Sequence, residues 1–551
     1  MYQYTDKDQT LINERVDQFR DQTQRFLKGE IADDKYRALR LMNGVYIQTH
    51  SPLLRVAGPY GLLSCAQIRK LASIARDYDK NFCHFTTRQN IQFNWPALER
   101  IPYILEELAS VQMHAIQTSG NCLRNTTSDQ LAGVAKDELE DPRPYCEIIR
   151  QWTILHPEFA YLPRKFKIAV SGSAQDRAAT HFHDIGLHLV KNDAGEIGFK
   201  VLVGGGLGRT PIIGQVIRPF LEKKHLLSYL EAILRVYNIY GRRDNKYKAR
   251  IKILVRETGI AEITKKVEAE WHLIKDQLEV SEQTITDMCA QFADPAYQKD
   301  LTAGADYAQQ LNDNIAFKTW DKHNTAGHKT DGYRAVYVSL KAPDSPPGDC
   351  SDTQLDALAG LADSYSFGMI RATHRQNLVL ADVKEADLFT LWQKLDALKL
   401  ATANINSATD IICCPGIDYC GLANTSSIDI AQGINDTLDS IDYIHDLGEL
   451  KINISGCMNG CAHQSVGHIG ILGVDKKGVE WYQVTLGGSS ENDATIGERL
   501  GPAVSKQDIV PVIKQILEVY LELRSHEDEA FLTTFRRIGV NPFKEKVYAA
   551  D

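Results

Sequence analysis

Cys414 and Cys420, followed by Cys457 and Cys461, are the residues of this chain best equipped for chemistry. They read C-P-G-I-D-Y-C and C-M-N-G-C. A thiolate is a soft metal ligand, and four grouped in one region point to metal. The chain holds eleven cysteines but opens MYQYTDKDQT, without a basic start or an apolar stretch, so a disulfide framework is not expected. The spacings C-x5-C and C-x3-C are not the C-x2-C of zinc ribbons or bacterial ferredoxins. Four sulfur donors suit zinc or an iron–sulfur cube, and the local motif favours the cube. Cys413 adjoins Cys414, but the spacing to Cys420 selects Cys414. Cys413 is expected to be buried nearby.

A second set of candidates is basic. In Lys165-Phe166-Lys167-Ile168-Ala169-Val170, read as a strand, Lys165 and Lys167 share one face and Phe166 takes the other. Two ammonium groups side by side repel unless an anion sits between them; taken alone, they read as edge-protecting lysines. Arg88 lies in the predicted strand His84–Ile91 and Arg124 in a predicted loop, Thr118–Asn125. Arginine offers a fixed, permanently charged fork of donors for an oxyanion, although either residue alone reads as a structural ion pair. Lys248, Arg250 and Lys252 alternate along what reads as a further strand face. Val203–Thr210, with Gly204, Gly205, Gly206 and Arg209, reads as a glycine-rich turn from a strand into a long helix over Gln215–Tyr240. Such a turn can offer backbone N–H groups to an anion, but no second strand with an acidic end follows, so it is a weak dinucleotide fingerprint.

The elements that must position these residues come in duplicate. Thr86-Thr87-Arg88-Gln89-Asn90-Ile91 returns as Thr373-His374-Arg375-Gln376-Asn377-Leu378, and Lys167–Gly172 returns as Lys451–Gly456. HDIGLHLV from His183 resembles GHIGILGV from Gly467, and Val203-Gly204-Gly205 resembles Leu486-Gly487-Gly488. The offset stays at about 285 residues, far too long for a solenoid. Helical patterns flank each T-x-R-Q-N segment (Ile68–Tyr78 and Leu98–Leu108; Leu355–Tyr365 and Ala386–Leu398). Two large α+β halves about a pseudo-two-fold are therefore expected. Only the second half keeps thiols after its Ser-Gly: Gly456 leads into Cys457, whereas Gly172 leads into Ser173-Ala174-Gln175-Asp176-Arg177.

Length and charge bound the rest. With 551 residues, three or four domains of roughly 150 residues each are expected. A net charge of −9 argues against a general nucleic-acid binder and requires a local basic pocket for any anionic substrate. No apolar run is long enough for a membrane span, and a cytoplasmic protein is expected.

Together these motifs resemble the siroheme-dependent sulfite and nitrite reductase family, in particular the hemoprotein (beta) subunit of assimilatory sulfite reductase. The segments that carry the resemblance are T-T-R-Q-N-I-Q at Thr86, L-P-R-K-F-K at Leu162, G-G-G-L-G-R at Gly204, C-P-G-I-D-Y-C at Cys414 and C-M-N-G-C at Cys457. The resemblance spans nearly the whole chain and includes the tandem repeat. It implies an α+β fold of two halves, each a ferredoxin-like subdomain plus a siroheme/4Fe-4S-type subdomain. It implies a 4Fe-4S cube on Cys414, Cys420, Cys457 and Cys461, with Cys461 also the axial thiolate of a siroheme. It places the catalytic basic residues at Arg88, Arg124, Lys165 and Lys167, which overrides the edge reading of the two lysines. Arg88, Arg124, Gly204, Gly205, Gly206, Arg209, Arg250, Asn459 and Cys461 are then expected against the siroheme, whose carboxylates account for the scattered anion sites.

The implied domains are 1–44 (helical wrap), 45–117 (first ferredoxin-like half-domain), 118–266 (first siroheme-type domain), 267–330 (linker), 331–402 (second ferredoxin-like half-domain) and 403–551 (cluster domain). Within these, Val267–Leu278 is expected to be helical, Asp321–Asp331 irregular, and Ala342–Asp349 a surface loop. The implied reaction is six-electron reduction of sulfite to sulfide, or of nitrite to ammonia. The C-P-G-I-D-Y-C-G-L-A-N segment resembles bacterial sulfite reductases more than plant-type nitrite reductases. No flavin or nicotinamide fingerprint is visible, so the donor is expected to be another protein, a flavoprotein subunit or a ferredoxin. Cys122 lies near Arg124; some members of the resembled family join a tyrosine to a cysteine covalently at this site, and the partner here would be Tyr46. Cys65, Cys83, Cys146, Cys289 and Cys350 read as ordinary thiols, and His181, His183 and His188 as structural. A non-enzymatic zinc or iron–sulfur scaffold would leave the basic residues without a purpose.

Overall fold

The computed structural model describes residues 1–299, 301, 304–438 and 441–549. Its strands form four sheets that repeat in pairs. In the first ferredoxin-like sheet the order is Val45–Ile47, Pro52–Val56, Ile91–Phe93, Phe82–Phe85, all antiparallel. Its last place is taken by Asp349–Ser351 from the second half. The second such sheet runs Thr325–Gly327, Tyr333–Val338, Leu378–Lys384, Met369–Ala372, and borrows Leu62–Ser64 from the first. Each half therefore completes the other's sheet.

The same symmetry appears in the helices behind these sheets. Cys65–Tyr78 starts at Ser64 and Asp352–Tyr365 at Ser351, each with a capping box closed by a glutamine at the third position, Gln67 and Gln354. The inward-facing positions of the apolar stripe are filled by Ile68, Leu71, Ala72 and Ala75 in one helix and by Leu355, Leu358, Ala359 and Ala362 in the other. All are buried in a single core shared by both halves.

The other two sheets are mixed. Thr127–Ser128, Ile168–Ser171 and Ile185–Lys191 are parallel neighbours, followed by antiparallel Ile197–Val203 and Gln215–Glu222. Ile412–Cys413, Ile452–Ser455, Ile469–Lys476, Val479–Leu486 and Glu498–Arg499 repeat that order. The registers coincide: Ile168 pairs with Ile185 as Ile452 pairs with Ile469. Each of these sheets has its own core.

Several expectations need correction. Arg88 is not in a strand but in the tight turn between Phe82–Phe85 and Ile91–Phe93, where Gln89 adopts a left-handed φ of 56°. The regular strand after Lys167 begins at Ile168; Phe166 makes only an isolated bridge to Leu123, yet the alternation holds, with Phe166 in the core. The Val203–Thr210 turn leads into a strand, Gln215–Glu222, and the helix starts only at Leu226. Register shifts on either side of Arg218 break the alternation that would have marked that strand. Lys248, Arg250 and Lys252 do not share a strand face, because Arg250 is the N-cap of the helix Ile251–Thr258.

The N-terminal helix Asp6–Leu27 is more than a wrap: Ile12, Val16 and Phe19 belong to the shared core. The stretch 267–330 carries the end of the helix Ile260–Ile274, and then Glu282–Gln291, Gly304–Asp313 and Ile315–Asn324. Asp321–Asp331 is thus partly helical rather than irregular, and it continues as the strand Thr325–Gly327. Residues 300, 302 and 303 of this stretch lie outside the described residues. Only the tip of Ala342–Asp349, Pro343 and Asp344, is exposed, because Asp349 is held in the exchanged strand.

Candidate functional site

The four thiols come from two loops at the ends of parallel strands. Cys414 follows Ile412–Cys413, and its N–H donates to the Ile454 carbonyl at 3.1 Å. Cys457 follows the neighbouring strand Ile452–Ser455. Gln376 clamps the first strand end: its side chain accepts from Cys413 N at 2.9 Å and donates to Cys413 O at 3.0 Å. Cys413 is buried, as expected. The Gly456 N–H points at Cys414 Sγ (3.1 Å) and the Asn459 amide at Cys457 Sγ (3.4 Å). Such donors stabilise thiolate. All four are free thiols. Burial raises the pKa values of Cys414, Cys420 and Cys457, and Cys461 pushes each of them higher. This mutual repulsion of thiolates is what a cationic cluster relieves.

Cys461 is the exposed member of the set and faces the first half. Its carbonyl accepts from the Thr87 hydroxyl at 2.8 Å, so the T-T-R-Q-N turn reaches across to hold the Cys457–Cys461 loop. The glycine-rich turn approaches from the other side: a Cβ on Gly460 would lie 3.0 Å from Gly208 N. Gly205 permits close packing, since a Cβ there would meet the carbonyls of His181 and His183 at 2.3 and 2.6 Å. Arg209 is exposed at the tip of this turn. Lys252 folds back onto its carbonyls, reaching Thr210 O at 2.6 Å.

Arg88, Arg124, Lys165 and Lys167 gather on this face of the first half. Arg88 donates to Thr127 Oγ1 (3.1 Å), Asn125 O (2.7 Å) and His183 Nε2. Arg124 donates to the carbonyls of Thr118 and Gly120, both at 2.7 Å. All of these acceptors are neutral. Among the described residues the ammonium groups of Lys165 and Lys167 have no carboxylate partner; it is the backbone N–H of Lys167 that donates to Asp184 (2.8 Å). Burial and then Arg124 lower Lys165 to about 8, with Cys461 opposing; burial and then Arg88 lower Lys167 well below the ordinary lysine value. Burial lowers even Arg88, to about 9, with Arg124 adding to it. The Asp184 carboxylate is close by, and Arg250 engages it through two donors at 2.7–2.9 Å.

Tyr46 and Cys122 flank Arg124. Burial would raise the Tyr46 phenol, but Arg124, Arg55 and Lys165 outweigh it and bring it to about 8. Cys122 donates to Ser119 O at 3.2 Å.

The second half shows what the same scaffold looks like without such a cage. Counting back from Ile168 and Ile452, Lys165 and Lys167 correspond to Glu449 and Lys451. Lys451 is paired with Glu449 (2.7 Å) and with Glu491. Arg375, the counterpart of Arg88, donates to Asp410 Oδ2 at 2.9 Å, and buried Lys341 pairs with the same carboxylate. Carboxylates pair with these cations; in the first half none of the four forms an ion pair among the described residues, the nearby Asp184 is bonded to Arg250, and Lys165 lies beside Cys461.

Comparison with known proteins places this geometry in a family. The family model for the nitrite and sulphite reductase 4Fe-4S domain matches residues 119–275 and 405–550. The nitrite/sulfite reductase ferredoxin-like half domain matches residues 49–111 and 327–398. The chain belongs to the nitrite and sulfite reductase family. It is 30% identical over 489 residues to a protein of Mycolicibacterium paratuberculosis named sulfite reductase (ferredoxin) 2, covering 87% of this chain and 81% of that one. It is 26% identical to the assimilatory ferredoxin-dependent nitrite reductase of Haloferax mediterranei, covering 86% and 80%. The solved structure of Mycobacterium tuberculosis NirA superposes with a TM-score of 0.77 at 27% identity, over 94% of this chain and 92% of that one. The α+β fold of two repeated halves is therefore that of the family, whose cofactors are a 4Fe-4S cluster and siroheme. The protein is an oxidoreductase of this family, and among its described residues no helix is long and apolar enough to cross a membrane.

The residues present fit both groups. Four mutually repelling free thiols suit the cube, and an exposed thiol facing unpaired cations suits an iron tetrapyrrole that carries many carboxylates. Sequence reasoning missed Thr87, Asp184 and Gln376. Comparison of the repeats offered one signal: Asp184 falls opposite His468 and Thr87 opposite His374.

Proposed function

We propose that this chain reduces sulfite to sulfide, with six electrons and as part of sulfur assimilation, in the manner of an assimilatory sulfite reductase hemoprotein. The observation that carries the proposal is the group of Arg88, Arg124, Lys165 and Lys167, none of them in an ion pair among the described residues and Lys165 beside Cys461, set against its ion-paired counterpart in the second half. In this reading Cys414, Cys420, Cys457 and Cys461 hold the cube, and Cys461 also ligates the siroheme iron. Gly204, Gly205, Gly206, Arg209, Arg250 and Asn459 line the siroheme with Arg88 and Arg124. When bound, the coupled cluster and siroheme supply the electrons and a metal that takes up the substrate atom.

The chain's own residues bind and protonate. Arg88 and Arg124 grip the oxyanion through fixed guanidinium forks. Lys165 and Lys167, lowered toward neutrality by burial and by the arginines, can give a proton to a departing oxygen and be recharged from solvent. The neutral acceptors around Arg88 and Arg124 hold them in place without cancelling their charge.

An external protein supplies electrons in this proposal. Ferredoxin is the donor named for the mycobacterial and haloarchaeal relatives, and a flavoprotein subunit is the other candidate. Nitrite is the alternative substrate, because relatives named as nitrite reductases align over a similar share of the chain. Steady-state turnover of the loaded protein with a small artificial reductant tests both. A higher kcat/KM for sulfite with sulfide as product supports the proposal; a preference for nitrite with ammonia as product replaces the substrate. Turnover of neither anion refutes the reading of the cage.

A further inference from the structure

We propose that His183 is a positioning residue for the oxyanion site: as a neutral imidazole it accepts from Arg88 and fixes that guanidinium without neutralising it. The inference rests on the proposed role of the cage and adds a residue to it.

The hydrogen bonds allow one protonation pattern. His183 Nδ1 lies 2.7 Å from the Ala179 carbonyl, which can only accept, so Nδ1 carries the proton. Nε2 then has a lone pair, and it faces Arg88 Nη1, which can only donate. An imidazolium would point N–H against guanidinium. The residue is 3% exposed, which disfavours that charged form further.

The element that carries His183 is rigid. Ala179 sits in the left-handed region at φ 51° and opens a short 3-10 turn, Thr180–Phe182, that His183 closes. Asp176 caps this turn, accepting from Ala178 N (3.1 Å) and Thr180 N (2.9 Å). Gly214 N donates to the His181 carbonyl at 2.7 Å, and Gly205 leaves room only for hydrogen atoms against the same segment. The next residue, Asp184, holds Arg250 and the Lys167 N–H. One dipeptide therefore braces three positions around the proposed site.

The repeat gives an internal control. The counterpart of His183 is Gly467, which has no side chain to offer. Arg375, the counterpart of Arg88, turns instead to the carboxylate of Asp410. A carboxylate holds an arginine but cancels its charge, whereas a neutral imidazole holds it and leaves the charge for a ligand.

The test is sulfite binding to the oxidised holoenzyme, followed by the tetrapyrrole absorbance, in the parent, His183→Leu and His183→Gln. Glutamine keeps an acceptor at about the reach of Nε2; leucine does not. His183→Leu should raise Kd and KM about tenfold, the low end for a hydrogen bond to a charged group, with a smaller change in kcat. His183→Gln should stay within about threefold of the parent. Leucine binding as tightly as the parent, or glutamine losing as much as leucine, overturns the inference. If the leucine variant fails to fold or to load siroheme, the glutamine variant decides: binding within about threefold of the parent supports the inference, and a loss of about tenfold or more overturns it. A parent that binds neither sulfite nor nitrite would instead defeat the reading of the cage itself.

Discussion

Lys165 and Lys167 are half-buried ammonium groups, desolvated enough to lower their pKa values and without a carboxylate partner among the described residues, an arrangement that an arriving anion would relieve. Neither is needed to hold the cluster loops. Lys167→Met should therefore lower kcat by about 100-fold or more, the usual scale for loss of a proton donor, while both cofactors stay bound. Turnover and the absorbance spectrum of the variant check this, and a normal rate would refute the assigned role. Thr87 works differently. Its hydroxyl is the partner of the Cys461 carbonyl at 2.8 Å, across the boundary between the halves. Thr87→Val keeps the shape but removes that donor, at about 1 kcal/mol. It should release the tetrapyrrole faster on dilution with only a small fall in melting temperature, and an unchanged release rate would place the control of that loop elsewhere.

At the scale of elements, the two T-x-R-Q-N turns are the hinges of the design. Gln89 and Gln376 both adopt left-handed backbones, and each clamps the end of a short strand, Thr127–Ser128 and Ile412–Cys413. The left-handed strain is offset by paired hydrogen bonds on both sides of the amide. Gln376→Ala removes two buried bonds at the Cys413 backbone, a cost of roughly 2–4 kcal/mol once the stranded polar groups are counted. Its melting temperature should fall and cluster iron should drop with it; full iron content in a destabilised variant would separate the clamp from the cluster. The repeat of these segments, the helices around them and the thiol set were legible because identity, periodicity and spacing are local properties. The turn at Arg88 was not, because what bends it is an amide bonded to Ser128 and Ala372, far away in sequence. Gln215–Glu222 was unreadable as a strand because its bulges scramble the inside–outside order. The alternation Lys248-x-Arg250-x-Lys252 was genuine but misleading, since Arg250 caps a helix and turns toward Asp184.

The whole molecule is two halves that exchange a strand each and bury one common core, so neither half is expected to be stable alone. Acid should test that unity, because buried neutral histidines are spread through the fold. Burial is the first cause in each case: it lowers His114, next to the shared core, to about 3, with Arg150 adding to it. It lowers His188, in the first mixed sheet, to about 4, and His468, just before the strand Ile469–Lys476 of the second, to about 3 with help from Lys451. Unfolded histidine titrates near 6.5. Between about pH 4 and 6.5 the unfolded chain therefore binds protons that the native chain refuses. Stability from these groups is complete above pH 6.5 and falls as the pH drops, by up to about 1.4 kcal/mol per pH unit for each imidazole. The urea midpoint should decline steadily from pH 7 to pH 5 at constant salt. His114→Leu, which removes one of these proton acceptors from the unfolded chain, should flatten that decline, so that its midpoint gains on the parent at pH 5 relative to pH 7. Parallel curves for the two proteins would mean that His114 is not kept neutral by the fold.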